Sequence, residues 1–167
     1  MDDQRIVLAN GAAVDVVPIE PADAERLLQF HRQLSAETIR RRFFSIHPEL
    51  SPDELHRFTN VDHLDREAFV AVADGEIVAV GRFDRAPDAA DAEVAFVVAD
   101  SWQGRGVGTA LLRRVISRAR QVGVRRLVAQ TLSGNQAMLA VFRHSGCAVS
   151  ERAAQGVVDV TIDLDGA

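Results

Sequence analysis

Val97-Val98-Ala99-Asp100-Ser101-Trp102-Gln103-Gly104-Arg105-Gly106-Val107-Gly108 runs from an apolar, strand-like stretch through a glycine-rich turn into an amphipathic segment. Glycine reaches backbone conformations closed to other residues and lets the main chain come close to a ligand, while the first amides of a helix have no intrahelical acceptor. A turn of this kind directly before a helix is an anion site suited to a pyrophosphate. A dinucleotide-binding fingerprint would need its third glycine where Thr109 stands, and it belongs to the first strand of a parallel fold, whereas several strand candidates precede this turn. A turn that only packs strand against helix is the plain structural alternative.

Beyond the turn, Leu111, Leu112, Val115, Ile116 and Ala119 form one apolar helix face and Arg113, Arg114, Arg118 and Arg120 the opposite one, with Gly123 as the stop. A short strand is expected over 126–130, a helix from Asn135 to about His144, and closing strands at 148–149 and 157–164. Before the turn, three strand candidates over 68–73, 76–85 and 92–98 suggest an antiparallel meander. The first third carries helical spacing over 23–34 and 36–44, and Ser51-Pro52-Asp53-Glu54 reads as an N-cap, a first-turn proline and two acids opening a helix to about Thr59. An opening hairpin over 4–18 turns at Asn10-Gly11, a pair that favours a type I′ turn.

With 167 residues, 47% of them hydrophobic, the chain is expected to form one domain over 1–167. A net charge of −5 argues against nucleic acid as a partner, and Arg40-Arg41-Arg42 reads as a solvated helix face. The start, Met1-Asp2-Asp3-Gln4, lacks a leader pattern and no apolar run reaches transmembrane length, so the expectation is a cytoplasmic protein without a membrane partner. The five histidines show no metal-ligand spacing, so no metal is expected, and the lone Cys147 reads as a packed small residue. All nineteen basic residues are arginine, which excludes a Walker phosphate loop, and there is no tyrosine.

The glycine stretch resembles the coenzyme A motif of the GNAT superfamily of N-acetyltransferases, Gln/Arg-x-x-Gly-x-Gly/Ala, with Gln103, Gly106 and Gly108 at its fixed positions. Asn135 and Phe142-Arg143-His144-Ser145-Gly146 resemble that family's later helix, and the element order agrees over about residues 14–164. The resemblance implies an α/β (α+β) GNAT fold: a mixed, mostly antiparallel central sheet flanked by helices, with a splayed strand pair forming a slot for acetyl-CoA, the cosubstrate. It implies that Phe96, Val97 and Val98 offer strand backbone to the pantetheine. It likewise implies that Gln103, Gly104, Arg105, Gly106, Val107, Gly108 and Thr109 hold the pyrophosphate, and that Asn135 reaches the coenzyme while capping its own helix. A homodimer is an assembly the family often adopts.

Acetyl transfer needs a neutral amine, and holding a lysine neutral at pH 7 costs roughly 4 to 5 kcal/mol. Glu93 interrupts a strand apolar on both faces, which suggests a buried carboxylate, although a solvated strand end would equally accommodate it. In the GNAT resemblance an acid on this strand is the general base, so Glu93 is the expected catalytic residue. Gln130 stands where some relatives carry a second acid, and Phe142 replaces the usual tyrosine acid, reading instead as core.

Leu34-Ser35-Ala36-Glu37-Thr38, Arg42-Phe43-Phe44-Ser45, Leu50-Ser51 and 92–100 resemble the acetyltransferase domain of bacterial protein lysine acetyltransferases that regulate acyl-CoA synthetases. That implies a protein lysine as acceptor. A small amine as acceptor, or an acetyl-CoA sensor without transfer, are the alternatives. Phe43 and Phe44 are expected to fill core, with shaping of the acceptor groove as the alternative, and Asp62, Asp65, Glu67, Asp84, Asp88 and Asp91 flank the expected site, where they could draw in a cationic lysine or serve only solubility.

Overall fold

The computed structural model describes residues 4–166; residues 1–3 and 167 of the expected 1–167 domain, and with them most of the start searched for a leader pattern, lie outside the described residues. An eight-stranded sheet runs in the order β1-β2-β3-β4-β5-β6-β8-β7 and is antiparallel throughout except between β5 and β6. Its strands are β1 (Arg5–Val7), β2 (Ala13–Pro18), β3 (Arg66–Ala73), β4 (Glu76–Asp84), β5 (Asp91–Val98), β6 (Arg126–Leu132), β7 (Ala148–Ala154) and β8 (Val157–Asp163). The helices are α1 (Ala24–Arg32), α2 (Ala36–Phe43), α3 (Pro52–Thr59), α4 (Val107–Gln121) and α5 (Gln136–Arg143). The architecture is the mixed, mostly antiparallel sheet flanked by helices that the resemblance implied.

Each helix start has a local cause. Ser51 accepts from the Glu54 amide while the Glu54 carboxylate accepts from the Ser51 amide, a reciprocal cap that opens α3 at Pro52. Ser35 caps α2 and Asn135 caps α5 by a single bond each, accepted from the Thr38 and Met138 amides. In α4 the residues buried are Val107, Ala110, Leu111, Leu112, Val115, Ile116 and Ala119, one stripe of a 3.6-residue period.

The helices cover the sheet on both faces, which splits the core. Val94, Phe96, Leu127 and Ala129 pack with α4 and α5, whereas Val70, Val80 and the half-buried Val97 pack with α1, α2 and α3. Because side chains alternate along a strand, Ala92, Val94 and Phe96 of β5 face α4 and α5, and Glu93, Ala95 and Val97 face the other way. Gly81 of β4 matters here. A Cβ on it would lie 2.6 Å from the Phe96 ring, so only glycine lets that ring lie flat over β4.

Three expectations need correction. The Asn10-Gly11 turn is not type I′, since only Gly11 has positive φ; Gly11 donates to Leu8 and Leu8 to Ala12, a turn closed by one left-handed glycine. Both residues of Asp74-Gly75 and of Gln155-Gly156 are left-handed, so the type I′ geometry lies there instead. Strand β7 runs to Ala154 rather than stopping at Val149, and β6 to Leu132 rather than Gln130. Residues 150–154 are exposed edge strand with little apolar signal, held by pairing to β8.

Candidate active site

Strands β5 and β6 pair in parallel only at Asp91–Arg126, Ala92–Leu127 and Glu93–Val128. Beyond Glu93, β5 stays bonded to β4 and β6 to β8, so the two strands part and residues 94–98 keep one open backbone edge. An unpaired strand edge is a row of donors and acceptors waiting for a partner. The gap widens into a cleft of about 620 Å³ that passes from the glycine turn, along β5, to α2.

At one end lies the turn. Gly104 (φ 75°) and Gly106 (φ 92°) are left-handed, and a Cβ on either would meet nothing within 4 Å, so glycine is needed there for conformation and not for room. Gly108 differs: its φ is not positive, and it faces Val141 of α5 at ordinary contact distance. Gly106 caps α4 with no side-chain hydrogen bond, and the first amide to reach an intrahelical carbonyl is Ala110, donating to Gly106. The amides of Val107, Gly108 and Thr109 are therefore left for a ligand at the positive end of a fifteen-residue helix. Gly104, Gly106, Val107, Gly108 and Thr109 all line the cleft, as do Gln103 and Asn135. Arg105 does not. Its exposed guanidinium lies 5.0 Å from the centre of the Trp102 ring.

A clamp not read from the sequence ties this turn to α2. The Asp100 carboxylate accepts from the Ser35 amide (2.9 Å), the Ser35 hydroxyl (2.6 Å) and the Thr38 hydroxyl (2.8 Å). Gln103 donates to the same Thr38 hydroxyl and to the Val98 carbonyl. Partial burial pushes the Asp100 carboxyl up, but the hydrogen bonds from Ser35 and Thr38 outweigh it and hold the carboxyl below its ordinary value. The cap signature at Ser35 is visible in the sequence; its second task, 65 residues away, is not.

Phe96, Val97 and Val98 line the middle of the cleft. Phe142 is buried and packs edge-on against Phe96 with centroids 6.1 Å apart, the core role expected of it. Thr131 on the β6 extension also lines the cleft, and its buried hydroxyl has no hydrogen-bond partner. Gln130 lines the cleft too, and its amide is held by Asp159.

Glu93 stands at the last paired position before the strands part and lines the cleft. It is exposed, not buried as the apolar strand suggested. The strand is apolar because helices cover both its faces; the parting of the sheet uncovers it at this one residue. The expected burial is thus corrected in favour of the solvated alternative, with Glu93 on the face of β5 turned away from α4 and α5.

The acidic lure is also corrected. Asp65 pairs with Arg85, Asp84 with Arg66 and Asp91 with Arg126, and Glu67 is buried against His63 and Arg118. Asp62 accepts three backbone amides, of Leu64, Asp65 and Arg66, and Asp88 is exposed in a loop. None of the six lines the cleft. Instead Arg41, Arg42, Phe43 and Phe44 do, so Arg40-Arg41-Arg42 is not a uniformly solvated face: Arg41 and Arg42 are half-buried. Phe44 ends α2 in the left-handed region, 42% exposed, and fills no core. Phe43 is half-buried, stacked on His47 at 4.5 Å. Cys147 packs against the core as expected. Among the described residues no cluster of three metal-ligating side chains occurs, and no helix is long and apolar enough to cross a membrane.

Comparison with known proteins agrees with this geometry. The sequence model of the acetyltransferase (GNAT) family matches residues 34–147. The acetyltransferase Pat of Mycolicibacterium smegmatis is 38% identical over 150 residues, which are 88% of this chain and 44% of that protein, so the chain spans less than half of that relative. The acetyltransferase PA5475 of Pseudomonas aeruginosa is 33% identical over 135 residues, 78% of this chain and 73% of that one. Among solved structures, the GNAT domain of S. lividans PAT superposes with a TM-score of 0.89 at 40% identity, covering 95% of each chain.

Proposed function

This chain belongs to the acetyltransferase (GNAT) family, and from that premise we propose that it moves an acetyl group from acetyl-CoA to a primary amine, with a protein lysine as acceptor and acyl-CoA synthetases as candidate targets. The observation that carries the reading is the parting of β5 from β6 at Glu93, with the open strand edge leading straight into the uncapped start of α4.

Acetyl-CoA supplies a thioester whose carbonyl an amine can attack. The residues fit such a ligand: the left-handed Gly104 and Gly106 form a cradle free of side chains, and the amides of Val107, Gly108 and Thr109 meet negative charge. The open edge of residues 94–98 bonds the extended arm as an added strand would. Asn135, at the start of α5, adds a polar contact from the far wall. Glu93 takes the proton from the acceptor ammonium, directly or through one water, and its exposure makes that water available. The amine nitrogen then bonds the acetyl carbon as the carbon–sulfur bond breaks, in one ternary complex. Phe142 offers no proton to the departing sulfur, so solvent provides it. The protein-lysine reading rests on the resemblance of residues 34–38, 42–45, 50–51 and 92–100 to protein lysine acetyltransferases, and the 38% identity to the acetyltransferase Pat supports it.

The test measures coenzyme A release and acceptor mass shift with acetyl-CoA, offering an acyl-CoA synthetase and, separately, a panel of small amines, with wild type and Glu93→Gln. Lysine acetylation that collapses in the variant supports the proposal. Turnover confined to a small amine replaces the acceptor, and tight acetyl-CoA binding without transfer leaves a sensor.

A further inference from the structure

The charged side chains that line the cleft are Arg41, Arg42 and Glu93, two cations against one anion. That is an unfavourable wall for an acceptor whose only charge is positive. Arg41 is engaged with Glu37 at 3.1 Å. Arg42 is half-buried, packs 4.7 Å over the Phe43 ring, and makes no hydrogen bond or ion pair with any described residue. The carboxylates it senses are Asp84 and Glu93, which face each other across β4 and β5. Asp84 is already held by Arg66 at 2.9 Å, and Glu93 is the group left to receive a proton. Behind it, Arg82 is buried beside the Phe58 ring and donates to the Phe58 carbonyl. Burial first, then the charge of Arg42, pulls Arg82 down to about 9, and both arginines border one small hollow with Phe43 and Phe58. A guanidinium withdrawn from water without a partner is costly, and a planar carboxylate is the group whose geometry it matches.

Resting on the acetyl-transfer reading above, we propose that Arg42 receives a carboxylate carried by the acceptor, so that the preferred acceptor presents an acidic group close to the amine facing Glu93. The acid completes the charge balance of the wall: Arg42 with the acceptor's carboxylate, Glu93 with its ammonium. The charge of Glu93 reaches Arg42, which ties Arg42 to the reacting end of the cleft. Glu93 lies at the opposite end of β5 from the glycine turn, about 16 Å of strand away. Such a carboxylate comes either from an Asp or Glu beside the target lysine in a protein or from the acceptor's own carboxyl in a free amino acid.

The experiment compares kcat/KM for lysine peptides with Glu or Gln next to the lysine, and for a free amino acid against its carboxamide, using wild type, Arg42→Gln and Arg42→Lys. A preference for the carboxylate on the order of tenfold or more is expected in wild type, expressed in KM. It falls to about one in Arg42→Gln and is partly kept in Arg42→Lys, which retains the charge without the fork. Preference within the peptide pair assigns the carboxylate to a neighbouring side chain, and preference within the amino-acid pair assigns it to a free carboxyl. Equal use of both members of both pairs, or a preference that survives Arg42→Gln, overturns the proposal. So does a fall in acetyl-CoA affinity without change in acceptor choice, which would make Arg42 a phosphate ligand. Calorimetry of the same acceptors on the coenzyme A complex keeps the two readings apart. Carboxylate-dependent binding lost in Arg42→Gln supports Arg42 even where no transfer occurs, and binding indifferent to the carboxylate overturns it.

Discussion

The two ends of the cleft are built in opposite ways. The end proposed for the donor is local: seven consecutive residues, Gln103 to Thr109, supply the turn, the free amides and the start of α4. The acceptor end is assembled from α2, from β5 and from the far strand β6, elements separated by scores of residues and brought together only where the sheet parts. A phosphate can be met by backbone alone, so its site can be written into one short motif. An acceptor must be met by side chains in a chosen arrangement, and those come from wherever the fold delivers them.

If that division is right, each end fails separately. The largest effect is expected from Glu93→Gln, which should lower kcat by roughly 10²- to 10⁴-fold at constant acetyl-CoA affinity, since it removes a proton acceptor and leaves the donor end intact. Equal loss of acetyl-CoA binding, read by calorimetry, would join the two ends. The loss of acceptor preference in Arg42→Gln follows in size and probes the acceptor wall alone. Gly106→Ala should act on the other end. A side chain at φ 92° costs about 1–2 kcal/mol, and the strain should appear as weaker acetyl-CoA binding with acceptor KM unchanged.

The clamp at Asp100 is where the ends meet. Asp100→Asn should lower stability by about 1 kcal/mol, allowing for its exposure, and should move both Michaelis constants. Its pH dependence has a definite sign. A carboxyl held below its ordinary value stabilises the fold fully above its unfolded pKa of about 3.9 and loses that contribution as pH falls through the folded value. Thermal melts of wild type and Asp100→Asn should therefore differ at pH 6 and converge in strong acid. The smallest effect is Thr131→Val. The exchange removes an unpartnered buried hydroxyl at nearly constant shape and should raise stability by about 1 kcal/mol in melts of the free protein.

What could be read in advance follows the same division. Helix starts at Ser51 and Asn135 were legible because a cap is a contact across three residues. The stripe of α4 was legible because its period is. Exposed β7 was only half seen, since a strand held by backbone pairing need not alternate. The pairing of Asp65, Asp84 and Asp91 is not legible, because nothing in their order along the chain says that Arg85, Arg66 and Arg126 lie beside them.

By itself, then, the sequence determined the element order and the glycine turn that opens α4, which rest on interactions between near neighbours in the chain, and carried the fold class through its resemblance to the GNAT superfamily. Only the tertiary structure decided that Glu93 is exposed, that Arg105 packs over Trp102, and that Arg42 lines the cleft with no hydrogen bond or ion pair to any described residue. The reason is physical. Burial and charge pairing belong to the space between elements, and the parting of β5 from β6, which opens that space, is an event of the sheet and not of either strand.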